Sequence, residues 1–371
     1  MALMLALSAC NASPTVTPSA PAVPFQTGRF EGNGQSLQFN DDGTFEFFTS
    51  ASKITPTFTG KYSLNGDLIT VENPTETDPK CQGTATYQWA LNDGKLTFTP
   101  TSEDGCKSRR EANADTYVYN PSYLPEIKIN AADYSYVGPL KIRAGWTRVI
   151  LNNTGSEPHH VQFLRLNDGV TSQQFEDALK QAEGPALAMT KQVGGVGAIA
   201  PGMTAQAVIN FPAGEYVILC FIPSPADGMA HHAKGMIRAM TVEEASGHGQ
   251  EPLFDLTVHM KDFVYDLPDS LQAGPLTIQV INDGPEAHEF NILQLAEGKT
   301  LNDVINFLNG AGGPPPFAPV GGMNGLDIGL TGYAELNLTP GTYVAICNIP
   351  SPKAEGHPHF SLGMIKEFAV K

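Results

Sequence analysis

Residues 220–236 read CFIPSPADGMAHHAKGM, and residues 347–364 read CNIPSPKAEGHPHFSLGM. Each stretch opens on a cysteine, runs through Ile-Pro-Ser-Pro, and closes on histidine, glycine and methionine. Two thiols and two thioethers in matching frames imply a duplicated metal site, because thiolate, thioether and imidazole are the donors that softer ions select. The surrounding chain repeats with them. NNTGSEPHHVQFLRL at 152–166 aligns with NDGPEAHEFNILQL at 282–295, and INFPAGEYVILC with LNLTPGTYVAIC. Cys220 and Cys347 are 127 positions apart, His231 and His359 128, and His159 and His288 129. A period this long is that of whole domains, which predicts two tandem units, 121–245 and 250–371, joined near EEASGHGQEP.

Each unit opens on alternating β-type runs, carries one amphipathic insert (TSQQFEDALKQA or TLNDVINFLNG) behind a threonine cap, and returns to β around its cysteine. That order predicts a β-sandwich with a short helical insert and a metal site at one end. The proline-rich runs after each cysteine read as rigid loop walls that shield the sulfur. Residues 25–120 are different: short alternating runs such as SLQFNDDGTFEFF, KYSLNGDLITV and YQWALNDGKLTFTP, broken by Asp-Gly and Asn-Gly pairs. These are hairpin signals, and a meander of about six to eight such strands is expected to close into a small antiparallel barrel. No histidine occurs in this segment, which reads as a spacer or binding module. The chain as a whole is predicted to be all-β.

A formal charge of −16 argues against non-specific nucleic-acid binding and suits a cationic redox partner, or simply solubility. The first ten residues, MALMLALSAC, lead into NASPTVTPSAPAVP. Leu7-Ser8-Ala9-Cys10 resembles the lipobox of bacterial lipoproteins. The resemblance implies a lipidated Cys10 and an extracytoplasmic, membrane-anchored protein, with 1–24 as signal and flexible tether. Of the remaining cysteines, Cys81 and Cys106 share one compact segment and are the expected disulfide in an oxidising compartment. Cys220 and Cys347 stay free, each inside the repeated motif.

Blue-copper chemistry uses two imidazoles and one thiolate with a weak axial thioether, in the order His, Cys, His, Met along the chain. Both units supply it: His159, Cys220, His231 and Met236, then His288, Cys347, His359 and Met364. Here the chain resembles the cupredoxins. Pro158-His159-His160-Val161-Gln162-Phe163 is similar to the Pro-His-Asn-Val-Val-Phe strand of plastocyanins, and the His-to-Met spacing of both loops matches plastocyanins and the type 1 centres of copper nitrite reductases. The resemblance implies Greek-key sandwiches, two type 1 copper sites and one-electron transfer. The spacing selects His231 over His232 and His359 over His357; His160 and His232 are read as surface or supporting residues, and either is the alternative ligand beside its neighbour. The barrel resembles the small lipocalin-like barrels of bacterial lipoproteins. Neither cysteine has a neighbouring histidine, the junction that links blue copper to a catalytic copper in multicopper oxidases and nitrite reductases. An electron carrier rather than an enzyme is therefore expected. Copper sequestration and a metal-free scaffold on degenerate cupredoxin folds are the alternatives.

Overall fold

The Asp93-Gly94 pair between Thr84–Asn92 and Lys95–Pro100 shows why the first segment folds as hairpins. Asn92 pairs with Lys95, leaving a two-residue loop in which both residues have positive φ (51° and 72°). Such a loop matches the right-handed twist of its strands, and aspartate followed by glycine tolerates it best. The computed structural model describes residues 25–40, 43–49, 56–73, 78–120, 123–244 and 249–371, so Cys10 lies outside the described residues. Contacts divide the chain into two compact units, 1–121 and 122–371.

In the first unit, eight strands from Gly28–Gly32 to Tyr117–Tyr119 pair in chain order. The last returns to the first through Phe30 and Tyr119, closing an antiparallel barrel. Closure removes the unpaired edges a sheet this small would otherwise present. The interior is aromatic, with Phe30, Phe39, Phe45, Phe47, Tyr87, Trp89 and Tyr117 buried together. Cys81 and Cys106 form the expected disulfide. Beside it, the Arg109 guanidinium forks onto Asp104 (Nε to Oδ2 2.7 Å, Nη2 to Oδ1 2.8 Å) and donates from Nη1 to the carbonyls of Cys81 and Gly83.

The second unit holds both repeats in two continuous sheets. One has eight strands and the other ten, and each is built from one repeat followed by the other in mirrored order. The joins are antiparallel: Thr204–Phe211 pairs with Thr331–Leu338, and Thr190–Ile199 with Phe317–Leu326. Ala207 faces Ala334 and Val196 faces Met323, so at each join a residue meets its own counterpart 127 positions on. An internal two-fold relation therefore runs through the unit, an isologous contact made within one chain. At each join one edge strand of a repeat is covered by the other's, and a single apolar core extends from Ile127 to Val370. The sequence suggested two bodies in tandem; the pairing of these edges fuses them.

The helical inserts form where expected. Ser172–Leu179 begins at Thr171 and Leu301–Leu308 at Thr300, both in capping boxes, with Gln174 and Asp303 reaching back to the cap backbone. Phe175 and Leu179 pack on Leu164 and Val217, and Val304 packs on Leu293 and Val344. Two interior strands of the ten-stranded sheet, His159–Leu166 and His288–Leu295, are thus covered on both faces, which fixes the position of the histidine that opens each.

The buried ion pair of the barrel has a measurable consequence. Burial alone would raise the Asp104 carboxyl, but hydrogen bonds from Arg109, Tyr87 and the Cys106 amide hold it down at about 2, below its ordinary 3.8. A depressed carboxyl contributes stability in full above its unfolded pKa, about 2 kcal/mol here, and loses it as pH falls through the folded value. Asp104→Asn is expected to cost the barrel about 3 kcal/mol at pH 7, since it strands a buried guanidinium, and to flatten the loss between about pH 4 and 2. Denaturation followed through Trp89 in a Trp146→Phe background measures both; an unchanged midpoint at pH 7 contradicts the assignment.

Candidate metal centre

His159 opens its strand in the ten-stranded sheet, and Cys220 directly follows Gly214–Leu219, the neighbouring strand, which pairs Leu219 with Gln162. The chain then leaves the sheet through Ile-Pro-Ser-Pro and returns in a short 3₁₀ turn, His231–Lys234. Backbone bonds stitch this loop to the cysteine: His232 N–H donates to the Cys220 carbonyl (2.9 Å), Cys220 N–H to the Met236 carbonyl (3.2 Å), and Met236 N–H to the His231 carbonyl (3.0 Å). Gly235 ends the turn at φ 111°, a left-handed conformation that a side chain resists, and so brings Met236 back under His231. The second repeat reproduces the arrangement with His359–Leu362, Gly363 at φ 116° and Met364. The recurring Gly-Met therefore has a backbone reason as well as a chemical one.

The structure brings His159, Cys220 and His231 together in one repeat and His288, Cys347 and His359 in the other, with all donor atoms of a group within 4.8 Å of one another. All six residues are fully buried. His159 Nδ1 lies 3.0 Å from His231 Nδ1, and Cys220 Sγ lies 3.4 Å from the latter. The corresponding distances in the second group are 3.0 and 3.3 Å. Met236 and Met364 are buried at the end of the same loops.

The far side of each ring is held by a carboxylate. His159 Nε2 lies 2.9 Å from Asp133 Oδ1 and His231 Nε2 2.8 Å from Glu157 Oε2; His288 and His359 meet Asp262 and Glu286 at 2.8 and 3.1 Å. Ser224, the serine of the first Ile-Pro-Ser-Pro, donates to Glu157 (3.0 Å), and Ser351 to Glu286 (3.2 Å). These runs are more than loop walls: their serines hold the carboxylates that hold the histidines. Burial alone would raise Asp133, Glu157 and Glu286, yet hydrogen bonds keep all three below their ordinary values: Ser156 and His159 on Asp133, His231 and Tyr134 on Glu157, and Ser351 and His359 on Glu286. Burial depresses His159, His288 and His359 and pushes the Cys220 thiol up to about 12.

These facts decide what the cavity wants. An ionised carboxylate only accepts, so Nε2 of each ring carries the proton and donates, and Nδ1 is left as a bare lone pair. In each group two such lone pairs face one another at 3.0 Å, out of water. One thiol proton can satisfy only one of them. A buried acceptor without a donor is costly, and a cation between the two nitrogens and the sulfur removes the cost. Two imidazoles, a thiol and a nearby methionine are a donor set that fits copper. The carboxylates fix tautomer and ring orientation, as outer partners of metal-bound histidines generally do.

Of the other histidines, His160 is buried, and its Nε2 accepts the Phe221 N–H at 2.7 Å, so it neither lies at the surface nor substitutes for His159. His232 turns away to Glu183 (3.2 Å), His259 pairs with Asp283, and His357 is exposed. His248 lies outside the described residues. Sequence reasoning missed Asp133, Glu157, Asp262 and Glu286, although each pair recurs at the same 129-residue offset as His159 and His288. It also missed Gly155 and Gly284, where a Cβ would sit 2.6 and 2.5 Å from the histidine Nε2.

No protein-family model matches the chain, and no curated protein matches it. Solved structures do. A multicopper oxidase is 19% identical over 66% of this chain and 88% of its own, with a TM-score of 0.20. Auracyanin A of Chloroflexus aurantiacus, a blue copper protein, is 14% identical over 33% of this chain and all of its own (100%), with a TM-score of 0.24. A copper-containing nitrite reductase of Thermus scotoductus is 12% identical over 66% of this chain and 61% of its own, with a TM-score of 0.19. The second unit is a pair of β repeats joined in two shared sheets, with two histidine–cysteine–histidine groups. The expectation that the chain is no enzyme is corrected here, since an oxidase and a reductase stand among the similar structures beside the blue copper protein. The missing histidine beside each cysteine does not exclude catalysis.

Proposed function

We propose that the chain is an electron-transfer protein that holds one copper ion in each repeat. The ligands in this reading are His159, Cys220, His231 and Met236 in the first site, and His288, Cys347, His359 and Met364 in the second. The observation that carries it is the pair of bare Nδ1 lone pairs beside a buried thiol, present twice. Copper bound there would supply a centre that alternates between Cu(II) and Cu(I) by single electrons. The chain's own residues do the rest. Asp133, Glu157, Asp262 and Glu286 keep the rings pointed inward, and burial keeps water from the sulfur. The loops closed by Gly235 and Gly363 hold cysteine, histidine and methionine in one frame.

Copper titration of the reduced, metal-free protein tests this. It is expected to give intense absorption toward the red end of the visible spectrum, saturating at two equivalents, bleached by a mild reductant and restored by reoxidation. Cys220→Ser should remove about half of it and Cys347→Ser the other half, because only the thiolate supplies the charge-transfer band. Absence of the band with both thiols reduced contradicts the copper reading; a band that cannot be cycled contradicts electron transfer.

We further read the protein as acting outside the cytoplasm, tethered through a lipidated Cys10, with its acidic surface toward a cationic redox partner; the composition of 11–24 supports the tether. Expressed with its signal sequence, Cys10→Ser protein is expected to leave the membrane fraction; unchanged sedimentation with membranes contradicts the anchor.

A further inference from the structure

Two short hairpins close over the metal groups without supplying a ligand. In the first repeat Ala132 pairs with Ser135, leaving Asp133 and Tyr134 as the tip; in the second Lys261 pairs with Val264, leaving Asp262 and Phe263. Each tip covers its site in the same way. The aspartate meets Nε2 of the first histidine, and the aromatic ring leans on the second, Tyr134 on His231 at 5.3 Å and Phe263 on His359 at 4.8 Å between centroids. The returning strands, Ser135–Val137 and Val264–Asp266, are the two outermost of the eight-stranded sheet. The histidine strand, the cysteine strand and the ligand loop are bonded to one another and carry the donors. The tip is therefore the part of the wall that can swing away without carrying a ligand with it.

The two tips are fastened differently. Besides His159, Asp133 accepts from the Ser156 amide (2.9 Å), the Ser156 hydroxyl (2.5 Å) and the Glu157 amide (3.3 Å). The Tyr134 hydroxyl donates to Glu157 (3.0 Å) and meets the Ser224 hydroxyl (3.2 Å), and the Lys234 ammonium sits over the Tyr134 ring at 4.4 Å. The first tip is thus tied both to the segment before the histidine strand and to the ligand loop. In the second repeat the counterparts of Tyr134, Ser156 and Lys234 are Phe263, Pro285 and Leu362. Proline has no N–H, and none of the three has a polar side chain, so the ties those residues make are all lost. Among the described residues Asp262 keeps one hydrogen-bond partner, His288. Lys353 reaches Glu286 (3.4 Å), but from the ligand loop, which adds nothing to the tip. We propose that the second pocket opens more readily than the first, which makes it the site that exchanges copper with thiol- or thioether-bearing Cu(I) carriers while the first retains its ion. The proposal rests on the copper reading above. The exchange moves Cu(I) from one set of soft donors to another, with no net oxidation.

Two measurements on the full chain test this. In metal-free protein with the Cys81–Cys106 disulfide intact, alkylation by iodoacetamide is followed at each free thiol by peptide mass, with the rates in denaturant as reference. Cys347 is expected to react about tenfold faster than Cys220, the effect of losing one or two hydrogen bonds from the tip. Tyr134→Phe combined with Ser156→Ala leaves every proposed ligand and carboxylate in place. It is expected to speed Cys220 about tenfold and to leave Cys347 unchanged. Should the double variant fail to fold, Tyr134→Phe alone is expected to speed Cys220 about fivefold. Cys220 reacting as fast as Cys347 in the parent, or a Cys220 rate that these variants do not move, overturns the proposal. In copper-loaded protein, ascorbate with an excess of a coloured Cu(I) chelator is expected to draw copper off in two phases of equal size. The faster phase should be absent from Cys347→Ser and the slower from Cys220→Ser; release in a single phase overturns the exchange role. Failure of the parent to bind copper removes the copper reading and the exchange role with it, and the alkylation rates then judge alone whether the second pocket opens first.

Discussion

Two imidazole nitrogens with their lone pairs turned toward each other, sealed from water, are the constraint around which the second unit is organised. Left to themselves the rings would rotate, or one would take up a proton. Four carboxylates prevent the first by claiming every Nε2 hydrogen. Burial opposes the second by penalising the charged ring of His159, His288 and His359. The folded protein therefore maintains an arrangement that is unfavourable without a cation, and the cost is met by the sheets and loops that impose it.

The sandwich supplies that rigidity from three directions. A strand covered on both faces places the first histidine, its neighbour delivers the cysteine, and a backbone-stitched loop returns the second histidine and the methionine. Each loop is tied to its own cysteine by main-chain bonds, which depend on glycine at 235 and 363, and its serine, Ser224 or Ser351, holds the carboxylate behind the second histidine. Fusion of the repeats adds a further layer. Their shared sheets make one core that spans the internal axis.

Much of this was legible in the sequence, for identifiable reasons. Ligand order and spacing are local properties of strand and loop, so the two groups could be found by aligning the repeats. Asp-Gly turns marked the barrel hairpins, and threonine caps marked the helical inserts. The fusion was not legible, because edge-to-edge pairing depends on which strands lack a neighbour, and periodicity does not say so. The sign was present in VGGVGAI and VGGMNGLDI, whose glycines let the joined strands approach: a Cβ at Gly197 would lie 2.7 Å from the Gly321 carbonyl. The carboxylates escaped notice because an aspartate or glutamate before a histidine strand looks like any solvated charge until the fold turns it inward. The surface alternative for His160 fails for the converse reason, while the supporting one stands: strand alternation sends it away from the metal, but Phe221, and Asn324 of the second repeat, cover that face.

The barrel stands apart in its chemistry, with an aromatic interior, one disulfide and a buried ion pair, and none of its described residues form a group like those of the second unit. The claim on which the account rests is that each pair of facing nitrogens, with its thiol, is a metal site. X-ray absorption at the copper edge of the loaded protein addresses this most directly. The account predicts, averaged over two ions per chain, one short copper–sulfur bond and two imidazole nitrogens for each copper. Copper coordinated by nitrogen and oxygen alone, with both cysteines still alkylatable on unfolding under denaturing conditions, would contradict it.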